Sequence, residues 1–110
     1  MNTRIPAGHR LIGKWYNGLG NGQYARYQFT DVGAYLYSSP LKTISGTFAI
    51  EGDQLTISAA GSASESYTFK FECIGIGTFA EYVTLSDNAT HLETPYVRDP
   101  TDPRIRQFCG

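Results

Sequence analysis

Glu65 and Glu81 are the two carboxylates whose positions could do acid–base chemistry, because each shares an alternating strand face with apolar residues. Glu65 shares a face with Tyr67, Phe69 and Phe71, and Glu81 with Phe79, Val83 and Leu85. A carboxylate turned into an apolar cavity is desolvated, which favours its protonated form and suits it to donate or take a proton. The alternative is a carboxylate at a barrel mouth that reaches water, the expected state of Glu81 and still more of Glu65, which sits at a strand end. Tyr24, Tyr27, Tyr35, Tyr37, Tyr67 and Tyr82 supply rings whose hydroxyls need a partner when buried. Rings with a few directed donors are the usual lining of a small-molecule site. Tyr35 and Tyr37 stand on one face opposite Leu36, although the inward face of that run is ambiguous.

Other chemistry is poorly supported. His9 and His91 stand alone, Cys73 and Cys109 are far apart, and no paired metal-ligand spacing appears, so no metal and no cofactor is expected. There is no Gly-x-Ser-x-Gly elbow. The run Gly18-Leu19-Gly20-Asn21-Gly22 lacks the lysine and following helix of a phosphate loop and reads as a turn or a ligand-gating loop. Cys73 and Cys109 are either two reduced thiols or a bridge tying the C-terminal tail to a strand, which would stabilise by about 3 to 4 kcal/mol. Asn88-Ala89-Thr90 is a glycosylation sequon, meaningful only in a secreted eukaryotic protein.

The elements that must position these residues are strands. Eight Tyr, six Phe, twelve Gly and one Met suit pleated strands and tight turns. Extended runs over 11–17, 23–30, 34–39, 43–50, 54–59, 64–73, 79–86 and 90–98 alternate with turn residues. Runs 23–30 and 34–39 make a hairpin across Asp31-Val32-Gly33. The clearest hairpin joins 43–50 to 54–59 across Glu51-Gly52-Asp53, with Ile44, Gly46, Phe48 and Ile50 on one face. Short sequential connections predict an all-β, up-and-down antiparallel barrel of about eight strands, with an open sandwich as the rival.

At 110 residues the chain is read as one domain, with a barrel over about 10–98 and a tail over 99–110 that the prolines at 100 and 103 bar from a ladder. A net charge of −1 argues against nucleic acid, which needs clustered lysine and arginine. No apolar run reaches the roughly 20 residues of a membrane helix, and the first residues lack a signal peptide's apolar core. Cytoplasmic location is expected from the sequence as written, and secretion if a signal was removed. The oligomeric state is open, a dimer included.

The chain resembles the calycin superfamily, in particular short lipocalin-like domains. The resemblance is carried by Gly13-Lys14-Trp15, by 27–35 (Tyr-Gln-Phe-Thr-Asp-Val-Gly-Ala-Tyr), by 46–57 (Gly-Thr-Phe-Ala-Ile-Glu-Gly-Asp-Gln-Leu-Thr-Ile) and by Val83-Thr84-Leu85-Ser86-Asp87. It implies that Trp15 packs at the closed end of the barrel beneath Arg98, a cation–π pair worth about 0.5 to 2 kcal/mol. Trp15 and Arg98 would then be structural. The stretch 13–21 is also similar to the opening of the avidins, which implies Asn17 and Asn21 facing biotin; avidins use several tryptophans, and this chain has only Trp15.

Three functions remain open on these grounds. One is a binder of a small apolar or aromatic molecule, with Tyr27, Tyr35, Tyr37, Tyr67 and Phe69 lining its pocket. The second is a small cyclase or isomerase that shapes a flexible substrate, with Glu81 and Tyr35 as the catalytic candidates. The third is an interaction module with a filled core. Binding requires an apolar cavity of a few hundred cubic ångströms open at one end, away from Trp15, and Glu81 is expected there with the tyrosines.

Overall fold

A computed structural model describes residues 9–20, 22–59, 61–74 and 80–102. Eight antiparallel strands, β1 (Gly13–Gly20), β2 (Gln23–Phe29), β3 (Ala34–Ser38), β4 (Thr43–Glu51), β5 (Gln54–Ala59), β6 (Glu65–Ile74), β7 (Ala80–Asp87) and β8 (Glu93–Arg98), follow one another in space as in sequence. The sheet closes on itself when β8 pairs with β1, so the expected up-and-down barrel is the fold. Closure joins the two outer strands at the pairs Trp15 with Arg98 and Tyr16 with Val97, so neither is a fully open sheet edge.

The alternating pattern explains the inside. Leu55 and Ile57 are buried on β5, Tyr27 and Phe29 on β2, Val83 and Leu85 on β7, while Thr43, Ser45, Thr47 and Ala49 on β4 face out. Phe48 packs edge-on against Phe29, with centroids 5.0 Å apart, and Phe69 against Phe71 at 5.5 Å. The ambiguous β3 is settled by its partners. Tyr35 lies opposite Phe29 and Gly46, and Tyr37 opposite Tyr27 and Ile44, so both tyrosines point inward.

Two glycines are required by their surroundings. Gly52 turns the β4–β5 hairpin at φ 62°, and Gly13 opens β1 at φ 131° where a Cβ would stand 2.7 Å from Arg98 Nη1. Residues 18–20 correct the sequence reading of the run 18–22 as a turn or gating loop, whereas Gly22 lies in the turn into β2 as expected. Gly18 and Gly20 lie within β1, opposite Tyr24 and Gln23 with a bulge between them, because closing the barrel extends the β1–β2 ladder through residues of low strand propensity. Asn21 lies outside the described residues. No helix of the described residues is long and apolar enough to cross a membrane.

Candidate functional site

In an up-and-down barrel the odd-numbered strands all start at one end. The starts of β1 and β7 and the end of β8 therefore bring Trp15, Glu81 and Arg98 together. All three are completely buried. The guanidinium carbon of Arg98 stands 4.3 Å above the Trp15 ring. Its Nε donates to one oxygen of Glu81, and Arg10 Nε donates to the other. Arg98 also donates to the carbonyls of Ile12 (2.9 Å) and Arg10 and to Asp102 (3.1 Å). Residues 9–12 thus cross this end as a plug, with Leu11 fully buried and its carbonyl accepting from the Trp15 indole at 2.8 Å.

That arrangement corrects the expected position of Glu81. It lies beside Arg98 at the Trp15 end, with both oxygens engaged by guanidinium groups, and not among the tyrosines. The physical reason is strand direction: residue 81 is near the start of β7, and an inward carboxylate there meets the inward arginine near the end of β8. Cys73, opposite Glu81 on β6, is disulfide-bonded and accepts from Arg10 Nη2 at 3.2 Å. Cys109, its expected partner, lies outside the described residues. His9 accepts from the Leu11 N–H and meets Phe69 edge-on, whereas His91 is exposed in the β7–β8 turn.

The other end is built differently. Tyr27, Tyr35, Tyr37, Tyr67 and Tyr96 converge with Lys42 and Glu65 on a cavity of about 270 Å³. A second lobe of about 170 Å³ shares Tyr27, Tyr67 and Tyr96 and continues to Asp87, Thr90 and Leu92. Tyr27 is the hub. Its ring lies 4.9 Å from Tyr37, 5.2 Å from Tyr96 and 6.3 Å from Tyr35, at interplanar angles of 58°, 70° and 47°. The rings therefore stand as walls rather than as a stack.

Tyr35, Tyr96 and Tyr27 are only 5, 7 and 8% exposed. Their hydroxyls have no hydrogen-bond partner among the described residues, whereas the Tyr67 hydroxyl donates to Glu65 at 3.1 Å. No buried side-chain oxygen or nitrogen of the described residues lacks a partner, so these hydroxyls open onto the cavity. Burial, and then the neighbouring Tyr37 hydroxyl, pushes the Tyr96 phenol up to about 12. Tyr27 and Tyr67 are raised further, chiefly by burial, and Glu65 adds to the rise in both. Tyr35 is raised by burial and then by Glu65. At neutral pH the mouth is lined by protonated phenols.

Of the residues expected at a ligand, Tyr27, Tyr35, Tyr37 and Tyr67 line this mouth. Phe69 does not line either lobe; it is buried in the core against Phe71 and His9. Tyr24 and Tyr82 fall on the outward parity, Tyr24 being 58% exposed. Tyr96, Ile44, Ile57, Lys42 and Asp87 were missed. Tyr96 carried a usable signal, since it stands two residues before the inward Arg98 on one strand.

A wider recess of about 550 Å³ opens on the outside of the opposite end, against Lys14, Gln28, Asp31, Asp99 and Asp102. Its size is not matched by available chemistry. Asp102 is bonded to Arg98, and Asp99, whose carboxyl is lowered by bonds from the Thr101 hydroxyl and N–H, also accepts from Tyr16. The mouth, where the hydroxyls of three largely buried tyrosines open onto the cavity without protein partners, is the better candidate. No protein-family model, curated protein or solved structure matches this chain.

Proposed function

We propose that the chain is a calycin-like, lipocalin-like module that binds a small, largely apolar molecule through the tyrosine mouth of its barrel. One observation carries this reading: three tyrosines more than nine-tenths buried present hydroxyls without protein partners to a cavity of about 270 Å³. A core side chain at such a position gains nothing from its oxygen, and phenylalanine would fill the same space. A hydroxyl kept there is accounted for by a group that enters and accepts its hydrogen bond. The closed barrel of eight strands is compatible with a lipocalin-like fold. The walls are more polar than the apolar cavity expected from the sequence, so the molecule has an apolar body with polar atoms.

Native mass spectrometry of the protein from its own source tests the reading. The expected result is a retained small molecule, lost in Tyr27→Phe and Tyr96→Phe together. A mass equal to the bare chain, with no probe of any charge binding at the mouth, would overturn it and favour an interaction module.

A further inference from the structure

We infer that the molecule held at the tyrosine mouth is a small organic cation, an ammonium or quaternary ammonium group on an apolar body that also carries an oxygen acceptor for the tyrosine hydroxyls, seated against the ring faces of Tyr27, Tyr37, Tyr67 and Tyr96 and countered by Glu65. This rests on the proposed binding role of the mouth and names its ligand class. Four tyrosines lining adjoining lobes, with Tyr27 inclined at 58° to Tyr37 and at 70° to Tyr96, present π-faces in several directions at once. The negative face of an aromatic ring attracts a cation, and more strongly where water is excluded. A neutral or anionic group gains nothing from that quadrupole.

The charges at the mouth have a matching sign. Glu65 borders the larger lobe and Asp87 the smaller, against the single cation Lys42. Glu65 is also held in place, because the Tyr67 hydroxyl donates to its carboxylate at 3.1 Å. The Lys42 ammonium is exposed and makes no hydrogen bond or ion pair among the described residues, so nothing fixes it over the rings. The phenols register the same field: the Glu65 charge contributes to raising Tyr27, Tyr35 and Tyr67, and Asp87 adds to Tyr67, since a carboxylate opposes a phenolate beside it. Burial is the larger cause of these shifts, and it is the carboxylate contribution alone that favours a cation.

The test compares three probes of nearly one shape by NMR titration of the full chain: phenyltrimethylammonium, its neutral isostere tert-butylbenzene, and the anion 4-tert-butylbenzoate. The cation is expected to bind at least about tenfold more tightly than the isostere, from the cation–π contribution with its counter-charge. Glu65→Gln, at an exposed position whose loss does not threaten the core, should weaken the cation by about three- to tenfold and leave tert-butylbenzene unchanged. Equal or tighter binding of the neutral or anionic probe, or cation binding indifferent to Glu65→Gln, overturns the inference while the mouth stands as a binding site. If none of the three binds the inference falls, and the binding role of the mouth falls with it where the native mass is that of the bare chain.

Discussion

The two ends of this barrel use inward polar side chains in opposite ways. At the Trp15 end, Arg98 and Glu81 form a fully buried ion pair that the half-buried Arg10 extends, and Arg98 adds bonds to two backbone carbonyls and Asp102. At the tyrosine end, the hydroxyls of largely buried tyrosines face open volume without partners from the protein. The comparison separates what holds the barrel shut from what is left to meet another molecule. A fully satisfied network rigidifies, whereas unsatisfied donors at a mouth are stable only because water or a ligand reaches them.

The largest effect should come from breaking the closed end. β1 and β8 share only the pairs Trp15 with Arg98 and Tyr16 with Val97, so the seam depends on side chains as well as on its ladder. Arg98→Ala removes the cation above Trp15 and strips Glu81 of one of its two guanidinium partners. Urea unfolding should show a loss of about 3 to 5 kcal/mol, and a loss below about 1 kcal/mol would mean that the plug does not depend on it. Gly46→Ala comes next, because its Cβ would stand 2.1 Å from the Ser58 carbonyl oxygen and 2.9 Å from the Tyr35 ring. Backbone on β5 cannot give way cheaply, so a destabilisation of about 1 to 3 kcal/mol or more is expected by the same measurement.

The tyrosine end should show itself in alkali. Below pH 10.0, the ordinary phenol value, Tyr96 is protonated in both folded and unfolded chains and its contribution is fully present. As pH rises the unfolded chain ionises first, so stability falls from about 10 through about 12, the raised folded value. Phenolate absorbance should lag in the folded protein across that window, and Tyr96→Phe should make the fall shallower. The smallest effect on stability belongs to Tyr27→Phe and Tyr96→Phe at neutral pH, which should change the unfolding free energy from urea titration by no more than about 0.5 kcal/mol, since neither hydroxyl has a protein partner to lose. A large loss from either would erase the contrast between the two ends.

Much of this was legible in the chain, and for a physical reason. Side-chain alternation is a local property of an extended backbone, so Phe48, Leu55, Phe69 and Val83 could be assigned to the inside without knowing which strands pair. The end occupied by Glu81 was also recoverable, because the first residues of β7 and β1 must share an end in an up-and-down barrel. Parity alone did not use that direction. Tyr96 was hidden behind Pro95 on a short strand, although its spacing from Arg98 placed it inside.

By itself the sequence determined the strands, the alternating faces of most of them and an all-β meander, since these follow from alternation, turn residues and short connections, but it left a closed barrel and an open sandwich both standing. Only the tertiary structure decided which inward residues meet. That Tyr35 lies across from Gly46, that Tyr27 touches Tyr37 and Tyr96, and that two arginines bracket Glu81 depend on register and closure, which bring together residues up to 88 positions apart, as between Arg98 and the Arg10 carbonyl. Such distances are set by the packing of the whole barrel, and no local pattern encodes them.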